Sequence, residues 1–148
     1  MEKNIVIKED SIEIAVAVNA TIAEFESKYS KEYFQERING KDSLILVAYA
    51  DNQPVGYMVS YKKHDDSSFY CWMTGVNPVF RRLGILNKLM RRLTEWAKQH
   101  GYKKITIKTR NSRREMLSYL VKSGFNFTEV QPQILIEDNR ILLEKMVA

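Results

Sequence analysis

The residues best suited to chemistry lie between positions 76 and 85, in the string V-N-P-V-F-R-R-L-G-I. An apolar run ends at Val76, Pro78 prevents its continuation, and Arg81, Arg82 and Gly84 precede a long amphipathic stretch. The first backbone N–H groups of a helix have no partner inside it, and the helix dipole adds positive potential at the same end. A strand-to-helix turn of this composition is therefore suited to hold an anion, a phosphate above all. Gly84 allows close backbone approach, and the two arginines add charge where a phosphate would sit. The turn has neither the G-x-G-x-x-G of dinucleotide sites nor the G-K-[ST] of a P-loop. Taken alone it is either an anion site or an ordinary connection carrying two exposed arginines.

Other reactive side chains are sparse. Cys71 is the single cysteine and sits in a dense apolar run, which reads as a buried inert thiol. With one cysteine and two distant histidines, His64 and His100, neither a disulfide framework nor a local metal pair can be assembled. Glu36, His64, Asp65 and Asp66 could border a substrate, although each also reads as a surface residue. Period-two alternation places Tyr70 with Trp72, and Tyr57 with Tyr61, on common strand faces; either pair could line a pocket or pack the core.

The elements that must position these residues follow from periodicity. Residues 4–8, 44–50, 55–62, 69–76, 105–108, 125–130 and 141–147 read as strands, the second and third joined by turn chemistry at Asp51-Asn52-Gln53-Pro54. A helix capped by Asp10 or Ser11 runs to about Phe25, with Ile12, Ala15, Val16, Val18, Ile22 and Phe25 on its apolar side. A short helix covers 31–38. Leu86, Leu89, Met90, Leu93 and Ala97 recur at helical spacing, and Gly101 ends that helix. Ser112-Arg113-Arg114-Glu115 reads as a capping box opening a helix with Met116, Leu117, Leu120 and Val121 on its buried side. The order is β-α-α-β-β-β-α-β-α-β-β. Hairpins in front and helical crossovers behind imply an α/β fold, one domain over 1–148, with a mixed, mostly antiparallel sheet flanked by helices.

Length and composition fit that reading. The chain has 148 residues, of which 45% are hydrophobic and 28% charged, ordinary for a folded domain and unlike a disordered chain. No apolar stretch spans a bilayer and no secretory leader is evident, so the cytoplasm is the default compartment. The net charge of +5 is unevenly spread. Residues 81–114 hold twelve of the 23 basic residues and one acid, giving +11; the remainder carries 11 basic and 17 acidic residues, or −6. Such asymmetry points to an anionic partner: a phosphate-rich cofactor, nucleic acid, or a membrane surface. A solvated helix face explains the same charges.

The string at 76–85 resembles the acetyl-CoA signature of the GNAT N-acetyltransferases: an apolar residue and Pro, then Arg or Gln, two variable residues, Gly, one residue, and Gly or Ala. Arg81, Arg82, Leu83, Gly84 and Ile85 match it. The resemblance extends to Gly124-Phe125, similar to the family's "L-G-F", and architecturally to nearly the whole chain. It implies a GNAT fold and an N-acetyltransferase moving an acetyl group from acetyl-CoA to a primary amine by direct attack in a ternary complex. It places the CoA pyrophosphate on the amides of Arg82, Leu83, Gly84, Ile85, Leu86 and Asn87, with Arg81 beside them. The pantetheine arm would pair with the backbone of Thr74, Gly75 and Val76, near Asn111. A helix N-terminus and an open strand edge suit these two parts of the cofactor.

Three departures qualify the match. Leu86 replaces the usual Gly or Ala, and its place in the apolar stripe favours the core. Leu120 stands where the family's frequent catalytic Tyr lies; Tyr119 is adjacent and is the candidate proton donor to the departing thiolate. Asn111 lies thirteen residues before Gly124, two more than is common. No acid occurs in 69–76 to act as base, but alignment alone supplies large rate effects. A CoA-binding module without turnover is the alternative, supported by Leu120. Nucleic-acid binding ranks behind both, because the basic residues follow the cofactor helix and no nucleic-acid motif is present. No metal or membrane is implied. A homodimer is a family habit that no residue here demonstrates. The acceptor is unidentified; the −6 remainder leans to a cationic one, and surface solvation explains it equally.

Overall fold

The structure is a computed structural model that describes residues 4–22 and 29–147. In chain order its elements are β1 (Ile5–Glu9), α1 (Ile12–Asn19), α2 (Lys31–Ile38), β2 (Ser43–Ala50), β3 (Gln53–Tyr61), β4 (Ser68–Val76), α3 (Ile85–Gln99), β5 (Lys104–Arg110), α4 (Arg114–Lys122), β6 (Asn126–Gln131) and β7 (Arg140–Met146). The seven strands form one sheet in the order β1-β2-β3-β4-β5-β7-β6. Every neighbouring pair is antiparallel except β4 and β5. This is the mixed, mostly antiparallel α/β arrangement that the sequence implies. No described helix is long and apolar enough to cross a membrane.

The sheet buries both faces. On one face α3 and α4 cover Leu46, Met58, Phe69, Cys71, Ile105 and Ile107. On the other, α1 and α2 pack Ile12, Ala15, Val18 and Phe34 against Tyr57 and Val59. Alternation along β3 and β5 follows from the two-residue period of a strand. The stripe predicted on α3 is the buried one: Leu89, Met90, Leu93 and Ala97 face the sheet, with Ile85 added at the first turn and Leu86 half-buried against the same core. Asp51 and Asn52 both have positive φ, 48° and 71°, the type I′ geometry that suits a tight hairpin between β2 and β3.

Two local expectations need correction. The first helix ends at Asn19 rather than near Phe25, which lies outside the described residues. Thr21 accounts for the stop: its N–H and its hydroxyl both donate to the Val18 carbonyl, at 2.9 and 2.7 Å, which turns the chain instead of continuing the helix. The capping box at Ser112 is not formed. Helix α4 begins at Arg114 with Arg113 at its cap and no side-chain capping bond. Ser112 is committed elsewhere, because its N–H donates to the Glu137 carbonyl at 3.0 Å and Asn111 N–H donates to the Asn139 carbonyl at 2.8 Å. The turn docks on the β6–β7 connection, and that docking overrides the local capping preference.

Two contacts fix the layers on the sheet. Asn19 is fully buried at the end of α1 and donates from Nδ2 to the Tyr57 hydroxyl at 2.8 Å. Gly56 of β3 lies beneath α3, and a Cβ there would stand 3.0 Å from Ile85 Cγ2 and 3.4 Å from Ala48 Cβ. Tyr57→Phe keeps the ring but strands a buried amide donor, so a loss of about 1–3 kcal/mol is expected, read as a lower urea midpoint at unchanged m. Gly56→Ala overpacks against a buried, β-branched neighbour that cannot swing aside. It is expected to destabilise by about 1–3 kcal/mol in thermal unfolding and to increase hydrogen exchange at the first turn of α3.

Candidate functional site

The site is built where β4 and β5 part. They pair in parallel only over residues 68–71 against 104–107. Opposite β3, the register of β4 slips: Val59 faces Met73 and Ser60 faces Cys71, so Trp72 is an extra residue. A bulge of this kind bends its strand and increases local twist. Trp72 and Met73 accordingly both pack toward α1 and α2, whereas Cys71 packs toward α3. Beyond the bulge the strands enclose an open cleft of about 410 Å³ between Trp72, Met73 and Thr74 on one side and Lys108, Thr109 and Arg110 on the other. Arg37, Met116 and Arg140 also line it. The edge of β4 from 72 to 76 therefore faces the cleft without a strand partner on that side, and Thr74, Gly75 and Val76 lie along it.

The basic turn begins where this edge ends. Residues Pro78–Phe80 form one 3₁₀ turn, with Asn77 accepting from Val79 N–H at 3.0 Å. The Arg81 guanidinium folds back and donates from Nε to the Val76 carbonyl at 3.2 Å, tying the turn to the end of β4. Arg82 and Gly84 both adopt left-handed φ, 66° and 74°. For Arg82 this conformation is uncommon, and for Gly84 it carries no steric cost. Gly84 caps α3, and its carbonyl accepts from Lys88 N–H at 3.1 Å. The amides of Ile85, Leu86 and Asn87 precede that first helical bond and have no intrahelical partner. Left-handed turns of this type aim consecutive N–H groups into one concavity suited to an anion. Arg82, Leu83 and Asn87 are exposed around it.

The remaining candidates fall in two places. Tyr119 is half-buried on α4 and donates its hydroxyl to Asn87 Oδ1 at 3.3 Å, so it stands over the first turn of α3. Burial raises its pKa and keeps the phenol protonated. Leu120 is fully buried in the core. Asn111 donates from Nδ2 to the Ile136 carbonyl at 3.2 Å and so braces the end of β5 against the β6–β7 connection. Cys71 is fully buried and desolvation pushes its thiol up to about 12, as an inert thiol requires. The aromatic pairs share the face predicted for them: Tyr61 meets Tyr70 and Trp72 edge-on, at 5.7 and 5.8 Å between centroids.

The sequence reading missed a group of cations that lines the cleft. Arg37, Lys108, Arg110 and Arg140 come together there from α2, β5 and β7. Lys108 and Arg110 belong to the basic segment that the charge count singled out, but only the register of β5 separates them from α3. Lys108 and Arg110 lie on the sheet face opposite α3, because Ile105 and Ile107 face it.

With this geometry in view, the family model described as acetyltransferase (GNAT) family matches residues 14–125. The fold is shared with the ribosomal-protein-S18-alanine N-acetyltransferase from Escherichia coli, at TM-score 0.83 and 14% identity over 98% of this chain and 95% of that one. Ard1 from Thermoplasma volcanium is similar at TM-score 0.82 and 18% identity, over 97% and 98% of the two chains. The protein yncA from Salmonella typhimurium, solved with its cofactor acetyl-CoA, is similar at TM-score 0.77 and 14% identity over 97% and 94%. The family uses acetyl-CoA as its cosubstrate. A split sheet, a basic turn at the head of α3 and a family match spanning both together make this chain a member of the GNAT acetyltransferase family.

Proposed function

We propose that this protein transfers the acetyl group of acetyl-CoA to a primary amine by direct attack in a ternary complex. The observation that carries the reading is the parting of β4 and β5 beyond residues 71 and 107, directly before the basic turn at the head of α3. The amides of residues 82–87 receive the pyrophosphate, with Arg81 holding the turn in shape. The pantetheine arm lies along the unpaired edge of β4 at Thr74, Gly75 and Val76, pairing like an added strand, with Asn111 near it at the end of β5. The acetyl carbonyl then rests in the cleft, where an amine entering from the α1/α2 side reaches it.

The amine nitrogen attacks the thioester carbon, the N–C bond forms, and the C–S bond breaks to release the CoA thiolate. β4 amides polarise the carbonyl as charge develops on its oxygen. Water takes the proton from the amine. Tyr119, kept neutral by burial, is the candidate to return a proton to the thiolate. A CoA-binding module without turnover is the second reading, favoured by Leu120, which is locked in the core at the position of the family's usual Tyr.

Calorimetric titration with acetyl-CoA, CoA and ATP at two salt concentrations is the direct test. Selective micromolar binding of the CoA species that persists at the higher salt is expected. Equal, salt-sensitive binding of ATP would overturn the cofactor site and turn attention to nucleic acid. An amine screen then separates enzyme from binding module. Tyr119→Phe is expected to lower kcat by about 100-fold with the KM for acetyl-CoA unchanged. A change confined to that KM would make Tyr119 a cofactor-positioning residue through Asn87.

A further inference from the structure

We infer that the acceptor amine carries an oxyanion, a carboxylate or a phosphate, held by the cations on the α1/α2 face of the cleft. The inference rests on the acetyl-transfer reading above and names the substrate class of that same site.

The face is set by strand alternation. Ile105 and Ile107 pack beneath α3 and α4, so Lys108 and Arg110 project to the opposite side of β5. Arg140 of β7 stands directly opposite Arg110 in the antiparallel register and shares its face. Lys108 follows two residues along on the same face, and the Arg140 guanidinium also donates to the Asp138 carbonyl. From α2, Arg37 lies over the Trp72 ring at 5.1 Å and donates to the Tyr33 hydroxyl at 3.2 Å, which aims its guanidinium at the same opening. Lys63 lies over the Tyr70 ring at 4.5 Å, beside a second recess of about 320 Å³ that also reaches Lys108. Burial, followed by the charges of Lys108, Arg37 and Lys41, lowers the Lys63 pKa, as expected where cations converge.

Among the described lining residues of the two recesses the only carboxylate is Glu129, in the outer one. The cofactor does not account for these cations. Its pyrophosphate belongs to the head of α3, on the other face of the sheet, and the cations of that turn are Arg81 and Arg82. Arg37, Lys63, Lys108 and Arg140 face the side from which the acceptor enters.

The same cations bear on the absent base. An ammonium bound beside several positive charges is destabilised relative to the neutral amine, so its pKa falls. The oxyanion supplies the attraction that keeps the acceptor bound, and the ammonium loses its first proton to water. The neutral amine attacks the thioester carbon, the N–C bond forms and the C–S bond breaks. The second proton leaves the nitrogen and is balanced by the one taken up by the thiolate.

The test is a set of initial rates with acetyl-CoA and matched amines: L-glutamate against L-glutamine, β-alanine against β-alaninamide, phosphoethanolamine against ethanolamine, and spermidine. The oxyanion-bearing member of at least one pair is expected to show a kcat/KM at least tenfold above its neutral partner, with spermidine slowest. Whether carboxylate or phosphate pairs respond identifies the source of the oxyanion. Arg140→Gln and Lys108→Gln are expected to raise the KM for the preferred acceptor at least tenfold, with the KM for acetyl-CoA unchanged, and Arg140→Lys to restore part of the loss. Preference for spermidine or the neutral amines, or an equal loss on every acceptor, overturns the inference. If nothing in the panel turns over, the CoA-saturated protein is titrated with L-glutamate, phosphoethanolamine and succinate. Binding that Arg140→Gln abolishes upholds the inference, and no binding at millimolar concentration overturns it. Failure of acetyl-CoA itself to bind in calorimetry would instead remove the underlying site.

Discussion

The molecule is organised around the short parallel contact between β4 and β5. A parallel pair can be joined only by a crossover, here α3, and the pairing lasts for four residues on each strand before the bulge at Trp72 turns β4 away. Everything that follows depends on that interruption. Had the ladder continued to Val76 and Arg110, the sheet would be closed, and the edge of β4 would have spent its hydrogen bonds on β5. The interruption leaves backbone donors and acceptors available inside a folded sheet, a place where unpaired groups are otherwise costly.

The bulge also sorts side chains between the two faces. One face is nearly all apolar where α3 and α4 lie, and the basic turn at the head of α3 is mounted at its end. The other face carries α1 and α2, the aromatic group of Tyr61, Tyr70 and Trp72, and the cations of β5 and β7. The cleft passes between these two environments. Gly56 is part of the same arrangement, because only a residue without a side chain lets Ile85 settle low enough to bring the head of α3 beside the end of β4.

Most elements were legible from residue spacing. The stripe of α3, the short helix at 31–38 and the Asp51-Asn52 hairpin each have a local cause that the structure repeats. Two readings failed, for different reasons. Ser112 has the composition of a cap, but its backbone is already bonded to the β6–β7 connection. The apolar pattern of α1 continues past Asn19, but Thr21 turns the chain at Val18. At Ser112 a contact specific to the folded chain outweighed a local preference worth about 1 kcal/mol, whereas the stop after Asn19 is itself local, set by Thr21 on Val18.

The sequence by itself determined the order of elements, the two-sided core and the basic turn at 76–85, because each follows from interactions within a few residues. It also marked residues 81–114 as strongly basic. Only the tertiary structure decided where β4 and β5 separate, since a bulge depends on the register of a neighbouring strand. The same holds for the cations of the cleft. Arg37, Lys108 and Arg140 are up to 103 positions apart in the chain, and only the pairing of β7 between β5 and β6 and the docking of α2 bring their charges to one opening.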